Sequence, residues 1–236
     1  MKSKQPLFNK ICIVGVGLIG GSLGMAIKKK GLARWVIGVS RKDSTLKSAV
    51  ALNAIDIGTT DLKIGIKDAD LVILCGPVSV IQEQLKTIGK FLSKKTIVVD
   101  AGSSKLQICQ TASKFLKKNK FIGCHPMAGS ERTGVEHACA DLFEGSVCFV
   151  SSKNTIVENF WKKLGSKPII IPAAEHDRIV AQISHIPHAL SFSLFQTPKK
   201  IFPGTPVNPS LREFRRLAQS SPDMWADIFI SNADQV

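Results

Sequence analysis

A glycine-rich turn near the N-terminus constrains the fold of this chain more than any other feature. Residues 11–14 are an unbroken apolar run inside a strand predicted over 10–14, as is typical of a strand covered on both faces of a parallel sheet. The next residues follow the pattern Gly-x-Gly-x-x-Gly and lead into a helical segment. In such a turn Gly15 makes the tight bend, Gly17 lets a pyrophosphate approach the backbone, and Gly20 lets the helix pack on the strand. We therefore expect a dinucleotide cofactor at the turn residues Gly15, Gly17, Leu18, Ile19 and Gly20.

Strand-like and helix-like segments alternate from residue 10 to about residue 125. The further strands of this part are predicted over residues 35–40, 70–75, 96–100 and 121–124. This alternation predicts an α/β fold, a Rossmann-type doubly wound, mostly parallel sheet. Two more strands are predicted over 146–150 and 167–171, and helices alone are predicted over 175–195, 211–219 and 223–231. We expect a dinucleotide-binding domain over 1–173 and a small all-helical C-terminal domain over 174–236 that is truncated.

The carboxyl ends of the predicted strands indicate where the cofactor lies, because ligands of such sheets bind at that edge. This places four residues beside the cofactor: Gly76, Pro77, Ser79 and Gly102. The second strand ends in Ser40-Arg41-Lys42, where NAD-binding folds usually carry a carboxylate for the ribose. A serine and two cations suit a 2′-phosphate and favour NADP. The alternative is that the cations are merely exposed and that NAD binds without the carboxylate.

Residues 123–134 contain a histidine suited to proton transfer. Pro126 stiffens the backbone after His125, and Gly129 and Gly134 permit close approaches. A histidine held in this way can present one titratable group to a ligand. A glycine-rich surface turn that happens to contain a histidine is the alternative.

Composition and charge exclude several functional classes. The net charge of +14 favours anionic partners, but the lysine pairs lie at predicted helix ends, and no motif with interleaved aromatic residues suggests nucleic acid. The apolar run over 11–27 is short and glycine-rich for a membrane span, so we expect no membrane association. Six cysteines without a Cys-x-x-Cys pair, and the absence of His-Glu-x-x-His, indicate no metal. Reduced thiols favour the cytoplasm, or an organelle stroma if the source is a plant or alga.

Four motifs together resemble those of the prephenate/arogenate dehydrogenase family. They are Gly-x-Gly-Leu-Ile-Gly-Gly-Ser-Leu at 15–23, Asp-x-x-Ser-x-Lys at 100–105, His-Pro-Met-Ala-Gly-Ser-Glu-x-x-Gly at 125–134, and His-Asp-x(6)-Ser-His-x-Pro-His at 176–188. Residues 210–218 are similar to that family's Gly-Phe-Arg-Asp-Thr-Thr-Arg-Ile-Ala segment, with several substitutions. The similarity runs in order from about residue 10 to residue 231.

The resemblance implies an NAD(P)-dependent oxidative decarboxylation in tyrosine biosynthesis. The C4 carbinol of prephenate or L-arogenate would give a hydride to the nicotinamide, the ring carboxylate would leave as CO2, and the ring would become aromatic. By analogy, His125 would accept the hydroxyl proton and Ser103 would hold the geometry. His188 and Arg216 would bind the substrate carboxylates, with Arg215 beside Arg216 as the other candidate. The remaining substrate-side residues would be His176, Gly129 and Ser130, and the family implies a homodimer.

Two other functions are compatible with the dinucleotide motif. A dehydrogenase of the β-hydroxyacid type would need a lysine in a helix of the second domain, and the helix predicted over 175–195 contains none. A non-enzymatic nucleotide-binding regulatory module would not need His125, Ser103 and Arg216 together. Prephenate and arogenate differ by a keto or amino group on the side chain, and both stay open as substrates.

Overall fold

Six parallel strands form the main sheet of the protein. The computed structural model describes residues 5–116, 120–130, 132–196 and 209–236. The strands are β1 (Phe8–Val14), β2 (Ala33–Val39), β3 (Ile57–Thr59), β4 (Leu71–Leu74), β5 (Ile97–Asp100) and β6 (Lys120–Ile122). Their spatial order is β3-β2-β1-β4-β5-β6. The order reverses between β1 and β4, which creates a crevice at the carboxyl edge of the sheet. The Rossmann-type prediction is confirmed.

Five helices cover the two faces of this sheet. They are α1 (Leu18–Lys29), α2 (Asp43–Ala51), α3 (Leu62–Ile66), α4 (Val78–Ile88) and α5 (Leu106–Phe115). Buried side chains of β1 belong to a separate apolar cluster on each face, with Ile11 and Ile13 in one and Cys12 and Val14 in the other. This two-sided burial explains why the strand sequences are continuous apolar runs.

A second sheet of three strands carries the histidine singled out in the sequence. It consists of β7 (Cys124–Pro126), β8 (Val147–Val150) and β9 (Lys167–Ile170), with α6 (Thr155–Lys163) between the last two. The strand predicted over 121–124 is in fact divided at Gly123 between β6 and β7, and β7 pairs antiparallel with β8. His125 therefore lies in this second sheet, opposite Phe149, and not directly behind a strand of the parallel sheet.

The C-terminal part is helical, as predicted, but its first helix is not regular. The C-terminal part comprises α7 (Ala173–Val180), one π turn (Ala181–His185), α8 (Ile186–Gln196), α9 (Pro209–Ala218) and α10 (Pro222–Ser231). Pro187 lies two residues after the last residue of the π turn. A proline cannot donate a hydrogen bond to the carbonyl four residues earlier and its ring crowds that carbonyl, so a wider turn relieves the conflict. The helical segment predicted over 175–195 is thus present, and the extra residue of the π turn rotates the side chains that follow it.

Among the helices in the described part of the chain, none is both long and apolar enough to cross a membrane.

Candidate active site

The turn between β1 and α1 has the geometry of a phosphate-binding loop. Gly15 has a φ of +97°, and a Cβ atom there would lie 2.1 Å from the carbonyl oxygen of Cys75 on the neighbouring strand end. Gly17 precedes the first turn of α1, and a Cβ atom there would have no atom within 4 Å. The structure therefore requires glycine at position 15, whereas the space at position 17 is open to a ligand. The free N–H groups and the dipole at the start of α1 favour an anion in that space.

Two cavities meet at this loop. The inner cavity, of about 420 Å³, extends from the loop to the second sheet and to α10. Its lining includes most of the predicted cofactor and substrate residues, namely Gly17, Leu18, Ile19, Gly20, Gly76, Pro77, Gly102, Ser103, His125, Gly129 and Ser130. The outer cavity, of about 470 Å³, lies over the end of β2, and its lining includes Gly15, Gly17, Ser40, Arg41, Lys42 and Glu136. One elongated ligand that crosses Gly17 can occupy both cavities.

His125 begins a hydrogen-bonded chain that leads away from the inner cavity. Its Nδ1 atom lies 2.9 Å from Nε2 of His176, and Nδ1 of His176 lies 2.7 Å from Oδ1 of Asp177. Because a carboxylate only accepts hydrogen bonds, His176 carries a proton on Nδ1. Neutral His176 then accepts at Nε2, so His125 donates from Nδ1. This leaves Nε2 of His125 unprotonated and able to accept a proton.

The pKa values of both histidines agree with this neutral arrangement. Burial holds the pKa of His125 well below its ordinary value of 6.5, and electrostatic repulsion from His176, Lys105 and His185 acts in the same direction. Burial also lowers the pKa of His176, although the hydrogen bond to Asp177 opposes this effect. At neutral pH both imidazoles are therefore uncharged, and His125 is a base.

Two buried carboxylates hold the site together. Asp177 on α7 accepts the backbone N–H groups of Lys105 (2.7 Å) and Leu106 (2.9 Å) at the start of α5. Asp100, at the end of β5, accepts the N–H of Cys124 at 3.0 Å and forms an ion pair with the buried side chain of Lys105. The strand that carries His125 is thus tied to both the parallel sheet and the helical part.

The structure places several predicted residues away from the inner cavity. His176 is 1% exposed and lies behind His125, not on the cavity wall. His188 stacks on Trp225, with the ring centroids 3.6 Å apart, and its Nδ1 atom bonds the carbonyl oxygen of Ser184. Arg216 is half exposed and pairs with Glu213 on the same helix. Each of these side chains lies outside the linings of both cavities.

Ser103 and Ser79, two further predicted site residues, differ in their relation to the inner cavity. Ser103 lines the inner cavity together with His125, but the Nδ1 atom of His125 is bonded to His176. Ser79 donates its backbone N–H to the carboxylate of Asp227, 3.3 Å from each oxygen, and lies outside both cavity linings. This contact ties the start of α4 to α10, while a cofactor role for Ser79 stays a prediction.

Sequence reasoning gave no role to Asp177, Arg132 or Asp227. Asp177 follows His176 directly within the His-Asp motif, so its neighbour was the available signal. Arg132 and Asp227 line the inner cavity from the loop after β7 and from α10. No local pattern indicated either residue, because their roles depend on how the helical part packs over the sheet.

The described residues contain no group of three or more His, Cys, Asp or Glu side chains arranged to hold a metal ion.

Comparison with known families agrees with this geometry. The sequence model of the prephenate dehydrogenase nucleotide-binding domain matches residues 23–170, and that of the prephenate dehydrogenase dimerization domain matches residues 172–236. The chain belongs to the prephenate dehydrogenase family. The resemblance inferred from the four motifs is therefore confirmed. The two matches adjoin near the start of α7, while the domain division at residue 173 stays a prediction.

Relatives of the family span nearly all of this chain. The prephenate dehydrogenase of Lactococcus lactis is 34% identical over 233 residues, which are 95% of this chain. The cyclohexadienyl dehydrogenase of Zymomonas mobilis is 30% identical over 242 residues and is covered over 82% of its length. The chain spans 65% of the length of the Lactococcus lactis enzyme and 65% of that of Bacillus subtilis prephenate dehydrogenase.

Solved structures of the family superpose on the whole described fold. Aquifex aeolicus prephenate dehydrogenase, in complex with hydroxyphenyl propionate and NAD+, has a TM-score of 0.88 at 30% identity and covers 97% of this chain and 84% of its own. Synechocystis arogenate dehydrogenase has a TM-score of 0.78 at 28% identity, covering 96% of this chain and 84% of its own. A Mycobacterium tuberculosis 3-hydroxyisobutyrate dehydrogenase, 15% identical with a TM-score of 0.62, shares the fold alone.

Proposed function

We propose that this protein catalyses the nicotinamide-dependent oxidative decarboxylation of prephenate or L-arogenate. The observation that carries the proposal is the neutral, hydrogen-bonded His125 in the wall of a cavity that begins at the phosphate-binding loop. A cofactor pyrophosphate over Gly17 would direct its nicotinamide along the inner cavity, toward Ser103 and His125. A substrate bound between them would then have its carbinol carbon beside the nicotinamide and its hydroxyl beside His125.

The chemistry asks little of the protein beyond positioning and one proton acceptor. The nicotinamide, when bound, accepts the hydride from C4, and aromatisation of the ring supplies driving force as CO2 leaves. His125 accepts the hydroxyl proton through Nε2 while the C4–O bond gains double-bond character. The overall reaction releases no proton, so His125 returns the same proton to the phenolic oxygen as the ring becomes aromatic. Ser103, on the same cavity wall, orients the hydroxyl.

The substrate carboxylates require cations near the inner cavity. Arg132 lines that cavity and faces the same space as Ser130. Burial lowers the pKa of His188, and the nearby charge of Arg216 lowers the pKa of this histidine further. We propose that Arg132 binds one carboxylate and that His188 on α8 and Arg216 on α9 bind the other. Arginine suits this purpose because its guanidinium can bind a carboxylate through two parallel hydrogen bonds.

One assay tests the function directly. Prephenate and L-arogenate are each combined with NAD and with NADP, and nicotinamide reduction is followed together with CO2 release. We expect stoichiometric reduction and decarboxylation with at least one substrate, and none with a β-hydroxyacid such as 3-hydroxyisobutyrate. Reduction of the cofactor by the β-hydroxyacid alone would assign the protein to the other dehydrogenase class, and inactivity with every combination would refute the proposed reaction.

NADP is the cofactor that we propose. The end of β2 carries Ser40, Arg41 and Lys42 on the wall of the outer cavity, where the adenosine ribose of a Rossmann-bound cofactor would lie. The Oγ atom of Ser40 accepts the N–H of Lys42 at 3.4 Å, which folds the segment into a compact turn. Glu136 contributes one carboxylate to the same wall, so the two cations leave this cavity with a positive balance that favours a phosphate.

The cofactor proposal predicts a selective effect of Arg41→Ala. Removing one phosphate contact should raise the KM for NADP about tenfold, since a charge-assisted hydrogen bond contributes about 1.5–3 kcal/mol, and should leave the KM for NAD nearly unchanged. Steady-state kinetics with both cofactors measure the ratio. The matched control is Arg34→Ala on β2, away from the cavity linings. Equal effects of Arg41→Ala on both cofactors, or a wild-type preference for NAD, would contradict the proposal.

We also propose that the protein is a homodimer. The C-terminal residues match a dimerization domain, and the helical part exposes apolar side chains at Ile183, Leu190 and Leu194. Such a cluster on a folded helix is typical of a surface covered by another chain.

A further inference from the structure

We infer that His176 and Asp177 are positioning residues that fix His125 in its proton-accepting tautomer. Neither side chain belongs to the lining of the cavities, so neither is proposed to touch the substrate. The inference rests on the proposed function for the reaction that it serves. The tautomer itself is a property of the free protein and can be measured without a substrate.

The carboxylate of Asp177 accepts three hydrogen bonds. Its Oδ1 atom receives the N–H of Lys105 and Nδ1 of His176, and its Oδ2 atom receives the N–H of Leu106. The carbonyl of Asp177 accepts the side-chain amide of Asn232 at 3.0 Å, which holds this part of the helix against the end of α10. A carboxylate held by this set of donors cannot turn. It therefore dictates which nitrogen of His176 carries the proton.

His176 transmits this constraint because its ring has no freedom to reorient. Its centroid lies 5.3 Å from that of Phe149 and 5.1 Å from that of His125, both in edge-to-face geometry. The side chain is almost fully buried. With the proton on Nδ1, the Nε2 atom offers a lone pair, which Nδ1–H of His125 satisfies among the described residues. His125 is left with its lone pair on Nε2.

The reversed chain would disable the same histidine. If His176 carried its proton on Nε2, His125 would have to accept at Nδ1 and would carry its own proton on Nε2. Such an imidazole cannot take the substrate proton at that atom. In serine proteases, replacing the carboxylate that sets the tautomer of the catalytic histidine lowers kcat by about 10⁴. We expect a loss of similar kind here, because general base catalysis contributes about 10²–10⁴ in rate.

The first test reads the tautomer directly. Protein with ¹⁵N-labelled histidine is examined by two-bond ¹H–¹⁵N correlation at pH 7.5 without ligand, and His125 is assigned by its absence from the spectrum of His125→Asn. We expect protonated Nδ1 and unprotonated Nε2 for both His125 and His176. In Asp177→Asn the His125 signal should move toward the reversed tautomer, whereas Arg178→Gln, at an exposed position on the same helix, should leave it unchanged. Wild-type His125 protonated on Nε2 would overturn the inference.

The second test covers the case in which Asp177→Asn fails to fold, since Asp177 also bonds the start of α5. His176→Gln keeps an acceptor near the position of Nε2, and His176→Phe fills the space without one. We expect His176→Phe to lower kcat about 100-fold and His176→Gln to recover at least a tenfold part of that loss, with the cofactor Kd unchanged in both. Equal losses in the two variants, or no loss in His176→Phe, would show that the ring only packs and would overturn the inference.

The two tests separate this inference from the proposed function. If the free protein has the expected tautomer but turns over neither prephenate nor arogenate, the reaction is wrong and the positioning chain stands. If turnover is normal while His125 carries its proton on Nε2, the reaction stands and the positioning chain is wrong.

Discussion

At the residue scale, His125 meets two requirements that usually conflict. A general base must reach the substrate, yet it must be uncharged at neutral pH. The structure satisfies both because the ring lines the inner cavity while its Nδ1 atom is bonded to His176 behind it. Burial and the nearby positive charges lower the pKa, so the base form persists on the acid side of neutrality. Lys105, beside the hydrogen-bonded histidines, lowers the pKa of His125 further.

This environment predicts the acid limb of the pH profile. Because His125 acts as its neutral form and its pKa is lowered, kcat/KM should stay at its plateau at pH 7 and fall to half only below pH 6.5. The profile is measured from pH 4.5 to 8.5 in buffers of constant ionic strength. His125→Asn should lower kcat/KM by about 10²–10⁴ and remove this limb, with little change in cofactor Kd. A limb above pH 6.5, or unchanged turnover in His125→Asn, would exclude His125 as the base. His137→Gln, on an exposed turn, is the control.

At the element scale, the parallel sheet and the strands β8 and β9 followed from the sequence, but the antiparallel pairing of β7 with β8 did not. Strands buried on both faces leave continuous apolar runs, so β1, β4 and β5 were visible as such. The short strand β7 carries Cys-His-Pro, and its antiparallel partner lies more than twenty residues away. Nothing local specifies that pairing. The sequence predicted that His125 and Ser103 share a site. It could not predict the bond between His125 and His176, because these residues are 51 positions apart and their contact depends on how α7 packs behind β7.

The loop before α1 predicts opposite outcomes for two glycine substitutions. Gly17→Ala places its methyl group in open space, so the melting temperature should be nearly unchanged while the cofactor Kd rises at least tenfold. Gly15→Ala must accommodate a φ of +97° and a contact of 2.1 Å with the backbone of Cys75, so the folded state itself should lose stability. Differential scanning calorimetry and cofactor titration measure the two effects. Undisturbed cofactor affinity in Gly17→Ala would place the pyrophosphate elsewhere.

At the scale of the whole molecule, the helical part completes the site and also exposes an apolar surface. Met224 and Ile228 of α10 close one side of the inner cavity, and Ser231 bonds the buried hydroxyl of Ser104 at 2.9 Å. On α8, by contrast, Leu190 is 57% exposed and Leu194 is 48% exposed. These two residues are one turn apart and share one face of the helix. One part of the unit is thus covered by the sheet domain, and the other is available to a second copy of the chain.

The dimer proposal predicts that charge on this face separates the subunits. Leu190→Lys combined with Leu194→Lys places two cations where the partner would bury apolar surface, so the double variant should be a monomer near 25.6 kDa at concentrations where the wild type has twice that mass. Light scattering after size-exclusion chromatography measures the masses over a concentration series. Ile64→Lys, at an apolar position 63% exposed on α3, is the matched control and should stay dimeric. A wild type that is monomeric throughout the series, or a double variant with the mass of the wild type, would contradict an interface on this face of α8. Because Leu190 and Leu194 lie outside both cavities, the isolated subunit should keep its affinity for the cofactor, which separates the loss of assembly from damage to the dinucleotide site.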